Sequence, residues 1–265
     1  MRLKDKVAII TGGGTGIGKA IALGFAAEGA HLVLAQRRVG LAELVASEIR
    51  KMGREAVALK VDISISSDLD ILVERTMEIF DRIDILVNNA AIYPFYPFLE
   101  FPEEEIGNVL DTNLKGTILC TQKVARVMVK RGYGKVVNIS STHSIRGMGS
   151  VVPYSAAKGG INAFTRCAAF ELGQYGITIN AILSGFVPHE EVRKNIIQMA
   201  GEEGLNSIIK AQTIQTPLGR VGEAEDLVGL AIYLASDESR FMTAECIILD
   251  GGCANSELMF LPPDS

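Results

Sequence analysis

The 265-residue sequence predicts a single-domain, doubly wound α/β fold, with a seven-stranded, mainly parallel sheet and helices on both faces. Three observations carry this. Short β-branched runs alternate with longer helical patterns. Most of the strand runs are continuously apolar, so both sheet faces must be covered. A hydrophobic content of 48% supports one core over 1–265, with no linker-like stretch.

The first strand, KVAII (6–10), runs through TGGGTGIGKA (11–20) into a helix over 17–29. HLVLAQ (31–36) precedes a helix near 40–52, AVALKVD (56–62) one near 67–81, and ILVNNA (85–90) a long one over 103–130. KVVNIS (135–140) leads to 155–174 and TINAIL (178–183) to 191–211; after a helix at 224–235, CIILDGG (246–252) closes the sheet.

Composition narrows the function. A net charge of −5 without basic blocks argues against a nucleic-acid surface or a polybasic membrane anchor. MRLKDKVAII has no cleavage site, and no apolar run approaches the ~18 residues of a membrane span, so a cytoplasmic chain with no membrane partner is expected. Cys120, Cys167, Cys246 and Cys253 sit in apolar segments and read as buried free thiols of a reducing compartment. His31, His143 and His189 form no ligand cluster, and no metal is expected.

The glycine-rich loop admits two phosphates. Counted from Gly13 it nears a nucleoside-triphosphate P-loop, but Ala20 stands where that loop needs a hydroxyl for magnesium, which disfavours a phosphotransferase. Counted from Gly12, the glycines at 12, 16 and 18 depart from the common G-x-G-x-x-G spacing of dinucleotide sites. At a first strand-to-helix junction, the bare amides face the ligand crevice at the strand ends.

Farther on, Tyr154 and Lys158 are four apart on one helix face, and Ser141 ends the fifth strand. A lysine ammonium within a few ångströms would draw the phenol down from its usual ~10 toward working pH, as proton transfer during hydride chemistry requires. With TGGGTGIG, VD (61–62), NNA (88–90), Asn113 in DTNLKG, PLGRVGEAEDLVGLAIYLAS (217–236) and LDGG (249–252), the sequence resembles the short-chain dehydrogenase/reductase family over nearly its whole length.

The resemblance implies a Rossmann fold and an NAD(P)-dependent oxidoreductase moving hydride between nicotinamide and a secondary alcohol or ketone. Tyr154 is then the acid in reduction and the base in oxidation, and Lys158 also holds the nicotinamide ribose. Ser141 hydrogen-bonds the substrate oxygen, and Asn113 organises a water linking Lys158 to solvent. The cofactor contacts implied are Gly12, Thr15, Gly16, Ile17, Gly18, Gln36, Arg37, Asp62, Ile63, Asn89, Ala90, Gly185 and Val187, with Tyr154 and Lys158. Gln36 replaces the acid that repels a 2′-phosphate, and Arg37 can pair with one, so NADP(H) is favoured and NAD(H) possible.

The small-molecule substrate is less defined. His143, Arg146 and His189 are candidate contacts; AIYPFYPFLEFP (91–102) is either a pocket wall or a packed surface loop; and 185–215, with Gly201 and Gly204, is expected to be a mobile lid. Four residues depart from family usage: Ala91 for glycine, Ser184 for proline, His189 where a threonine would bond the nicotinamide carboxamide, and Ala244 for glycine. The family also implies a homotetramer. Two other readings stay open: a 3-oxoacyl-carrier-protein reductase with Arg126, Lys130 and Arg131 as docking patch, and a catalytically idle binding protein.

Overall fold

Neighbouring residues of the central strand show why the apolar runs need helices on both sides. Ile9 packs into one buried cluster with Val33, Leu86, Val124 and Ile179; Ile10 packs into another with Phe25, Leu34, Ile49 and Val137. Strand side chains alternate between faces, so a strand apolar at every position fills two cores. The computed structural model describes residues 1–255, and the last ten residues of the domain expected over 1–265 lie outside the described residues.

The strands are β1 (Val7–Thr11), β2 (His31–Gln36), β3 (Ala56–Lys60), β4 (Ile85–Asn88), β5 (Gly134–Ser141), β6 (Ile177–Ser184) and β7 (Cys246–Leu249). They form one sheet in the order β3-β2-β1-β4-β5-β6-β7, with every neighbouring pair parallel. The chain runs outward from β1 to β3, then returns to place β4 on the other side of β1. That reversal opens a crevice at the C-terminal strand ends.

The helices are α1 (Gly16–Ala27), α2 (Val39–Lys51), α3 (Ser66–Phe80), α4 (Glu103–Leu110), α5 (Thr117–Arg131), α6 (Val152–Leu172), α7 (Glu190–Gln215) and α8 (Val228–Ala235). α1, α2 and α8 supply the first core, and α3, α5 and α6 the second. α6 begins at Val152, before the expected 155, because Pro153 fits a first helical turn. The helix expected at 224–235 opens with a 3-10 turn over Ala224–Leu227.

Two breaks depart from the sequence reading. The helix expected over 103–130 is interrupted by a π-helical turn, Asp111–Gly116. Its Asn113 amide clasps Ile92, accepting from the Ile92 N–H and donating to its carbonyl, both at 2.8 Å. A Cβ on Gly116 would come within 2.7 Å of the Ile63 carbonyl oxygen, so the widened turn lies tight on the crevice wall. α7 is two helical pieces meeting at Gly201, whose φ of 71° and ψ of 178° no helix contains. Ala244 holds φ at 66°, where a β-carbon costs roughly 1 kcal/mol, with its N–H on the Ile179 carbonyl; this is the physical sense of the glycine usual there.

Candidate active site

The crevice, about 1330 Å³, is floored by the loop between β1 and α1. The loop has no room for side chains: a Cβ on Gly18 would lie 2.2 Å from the Gly12 carbonyl oxygen, and one on Gly12 (φ 67°) 2.9 Å from Asn89 Nδ2. Buried or half-buried side chains fix it from behind. Thr11 Oγ1 accepts from the N–H groups of Asn89 and Ala90, and Asn89 Nδ2 donates to the carbonyls of Thr11 and Gly12. Gln36 Oε1 accepts from the Gly14 N–H at 2.6 Å. Thus Asn89 and Gln36, expected as cofactor contacts, hold the loop with their amides while still lining the crevice.

α1 offers its N-terminus uncapped. Thr15 makes no side-chain cap, and the first turn has no acidic residue, so the amides that end a helix stay available to an anion. Beside it, Asp62 accepts from the Ser64 N–H and hydroxyl, and Arg37, exposed at the end of β2, lies 3.8 Å from Asp62. Gly185 abuts Asp250, where a Cβ would meet its side chain at 2.7 Å, and Val187 is buried against Gly222.

At the C-terminal end of β5 and the first turns of α6 the expected trio converges. Ser141, Tyr154 and Lys158 all line the crevice. Lys158 is buried, and its Nζ donates to the Ile139 carbonyl at 2.6 Å while lying 5.5 Å from the centre of the Tyr154 ring. Burial draws the lysine down to about 8. Burial pushes the Tyr154 phenol up to about 12, against a smaller lowering by the hydrogen bond from Ser141. In this arrangement the lysine is turned to a carbonyl, and desolvation of the phenol outweighs any lowering by the ammonium. Asn113 stands behind this site with its amide on Ile92, and its carbonyl accepts from Thr117 Oγ1.

Beyond Tyr154 the wall is aromatic. Tyr93 meets the Tyr154 ring edge-on at 4.4 Å, packs on Phe95, and brings its hydroxyl to 3.4 Å from His143 Nδ1. Tyr93, Phe95 and Tyr96 line the crevice, whereas Phe98 and Leu99 of the same segment are exposed, so 91–102 is wall in its first half and surface in its second. Burial keeps the His143 imidazole below its ordinary pKa, with Arg146 adding to the effect. Arg146 itself faces an adjoining cavity of about 440 Å³ and donates to the Cys253 carbonyl at 2.6 Å. The Tyr93 hydroxyl and Met148, which it approaches at 3.7 Å, escaped the sequence reading. An aromatic-rich loop signals a wall but not which ring turns inward.

The family model described as enoyl-(acyl carrier protein) reductase matches residues 12–254. Galactitol 2-dehydrogenase of Agrobacterium fabrum is 38% identical over 255 residues, 95% of this chain and 98% of that protein. This chain belongs to the short-chain dehydrogenase/reductase family. Another relative, 3-oxoacyl-[acyl-carrier-protein] reductase of Synechocystis sp., is 36% identical over 252 residues, 94% of this chain and 97% of that one. The crystal structure of levodione reductase superposes with a TM-score of 0.91 at 33% identity, covering 97% of this chain and all of that one. This short-chain dehydrogenase/reductase is an NAD(P)-dependent oxidoreductase that transfers hydride between nicotinamide and a secondary alcohol or ketone. The bare glycine loop and uncapped α1 fit the dinucleotide's diphosphate. No helix among the described residues is long and apolar enough to cross a membrane.

Proposed function

We propose that Tyr154 is the proton donor in ketone reduction and the acceptor in alcohol oxidation, with Ser141 and Lys158 supporting it. One observation carries this: Tyr154, Ser141 and Lys158 meet on one wall of the crevice. A nicotinamide dinucleotide held on the glycine loop and the α1 N-terminus would supply or accept the hydride. Tyr154 gives its proton to the substrate oxygen, Ser141 hydrogen-bonds the same oxygen, and the Lys158 ammonium balances the phenolate left behind. Asn113 positions Ile92 and the segment carrying Tyr93, and it supports a water path to Lys158. Replacing Tyr154 with Phe should lower kcat by ~10² to 10⁴ while the dinucleotide Kd changes less than threefold. A variant keeping more than a tenth of wild-type kcat contradicts the assignment.

The cofactor is NADP(H) in preference to NAD(H). Gln36 at the end of β2 brings no negative charge, and the exposed Arg37, now 3.8 Å from Asp62, can turn to meet a 2′-phosphate. The substrate is a small hydroxylated ketone or alcohol. Likeness to galactitol 2-dehydrogenase supports this, as do the polar edges of Tyr93 and His143 in an aromatic wall. Likeness to the acyl-carrier-protein reductase favours a second reading, a 3-oxoacyl thioester, which an acyl-thioester assay distinguishes.

The chain works as one domain over 1–265, with 185–215 closing over the substrate as a lid hinged at Gly201. It acts in the cytoplasm, where its cysteines stay reduced. It assembles as a homotetramer: Phe170 on α6 is 90% exposed, and Leu110 and Ile118 flank the π turn in the open. Light scattering at micromolar concentration should give four times the monomer mass; the monomer mass alone contradicts it.

A further inference from the structure

His189 closes the loop between β6 and α7, at the N-cap of α7, but its side chain does not cap its own helix. The imidazole lies on Gly16 instead: a Cβ there would sit 2.8 to 2.9 Å from the ring's Cγ, Cδ2 and Nδ1. Gly16 opens α1 at a φ of 51°, so the ring rests over the first turn of the uncapped helix. Neither ring nitrogen has a hydrogen-bond partner among the described residues, and Nδ1 is buried without one. Nε2 is not buried in this way, and in a residue that lines the crevice it is the nitrogen a ligand can reach.

The main chain holds this arrangement in place. The His189 N–H donates to the Val187 carbonyl, its carbonyl accepts from the Arg193 N–H, and the Arg193 side chain returns to the Pro188 carbonyl. The carboxylates nearby are already engaged: Glu191 pairs with Arg38 at 3.1 Å and Glu190 with Lys194 at 2.6 Å. Neither carboxylate hydrogen-bonds the ring, though Glu191 acts on it through its charge. Burial holds the imidazole below its ordinary pKa against a smaller opposing effect of the Glu191 carboxylate, and a neutral imidazole carries one N–H donor.

We propose that His189 is the diphosphate ligand supplied by the β6–α7 loop: its imidazole N–H donates to a phosphate oxygen of the dinucleotide seated on the α1 N-terminus. This rests on the dinucleotide reading above and assigns the residue to the cofactor's centre, away from both its nicotinamide end and the substrate. The adenine side is occupied by Arg37 and Asp62 and the substrate side by Tyr93 and His143, while His189 lies on the one glycine that starts α1.

The test is isothermal titration of NADPH, NADH and ADP-ribose into wild type, His189→Ala and His189→Asn. ADP-ribose carries the diphosphate and no nicotinamide. The Ala variant should weaken all three about tenfold, and Asn, a neutral donor of similar reach, should recover most of the loss. ADP-ribose binding unchanged by Ala, with the dinucleotides weakened, would place the ring at the nicotinamide and overturn the proposal. So would Asn binding no better than Ala, or no change in any ligand. If wild type bound neither dinucleotide, the cofactor reading itself would fall, and the proposal with it.

Discussion

At the end proposed for the dinucleotide the crevice wall is main chain, held by buried amides; at the end proposed for the substrate it is side chains standing on loops. Gly12, Gly16 and Gly18 leave no space for a β-carbon, and Thr11, Gln36 and Asn89 lock their backbone from behind. Tyr93, Phe95 and His143 instead hold one another through ring contacts of 4.5 to 6.1 Å and one long polar contact of 3.4 Å. A backbone wall tolerates almost no substitution and suits a ligand common to a whole family. A side-chain wall changes shape with each residue and sets which substrate is taken. Tyr154 and Lys158 sit at the seam between the two.

The seam gives the largest effect. Lys158 titrates near 8 in the folded chain and near 10.5 when unfolded, so below pH 8 its buried charge lowers stability in full. Between pH 8 and 10.5 the unfolded chain binds more protons than the folded one, and stability rises with pH. Lys158→Met removes that charge. Its stability advantage over wild type should shrink by ~3 kcal/mol from pH 7 to pH 10.5, followed by denaturant unfolding. A gap independent of pH would show that the lysine is not desolvated as described.

The dinucleotide half should respond next. Gln36→Asp with Arg37→Ala should move kcat/KM by about ten- to a hundredfold from NADPH toward NADH, since a charge-assisted pair is worth roughly 1.5 to 3 kcal/mol. No shift would break the assignment of that end. The substrate half should show the smallest change, and of a different kind. Tyr93→Leu should raise KM for the preferred substrate roughly three- to fivefold, with dinucleotide Kd unaltered, as one aromatic contact is worth about 0.5 to 1.5 kcal/mol. A changed dinucleotide Kd would show that the two halves are not separable.

The same division explains what could be foreseen. The seven strands, the sheet class and the convergence of Ser141, Tyr154 and Lys158 were legible because apolar runs, a glycine loop and an i, i+4 pair are local patterns, although β3, β4 and β7 end two or three residues sooner than their apolar runs. The π turn was not legible: it depends on Asn113 finding Ile92, 21 residues away, and on Gly116 meeting the Ile63 carbonyl. Nor was the high pKa of Tyr154, because spacing brings a lysine near a phenol without saying that Ile139 will claim its ammonium. Arg146, one of several candidate substrate contacts in the sequence, donates to Cys253, a partner 107 residues later that no local pattern announces.

The central claim is that this crevice uses a nicotinamide dinucleotide to interconvert a small alcohol and its ketone. Its most direct test is the change in nicotinamide absorbance with wild-type protein, using NADP(H) and NAD(H) in both directions against polyols, cyclic alcohols, their ketones and a 3-oxoacyl thioester. The account predicts turnover with at least one hydroxylated small molecule and a kcat/KM at least tenfold higher with NADP(H). Turnover confined to the acyl thioester, or no turnover with any pair, would contradict it.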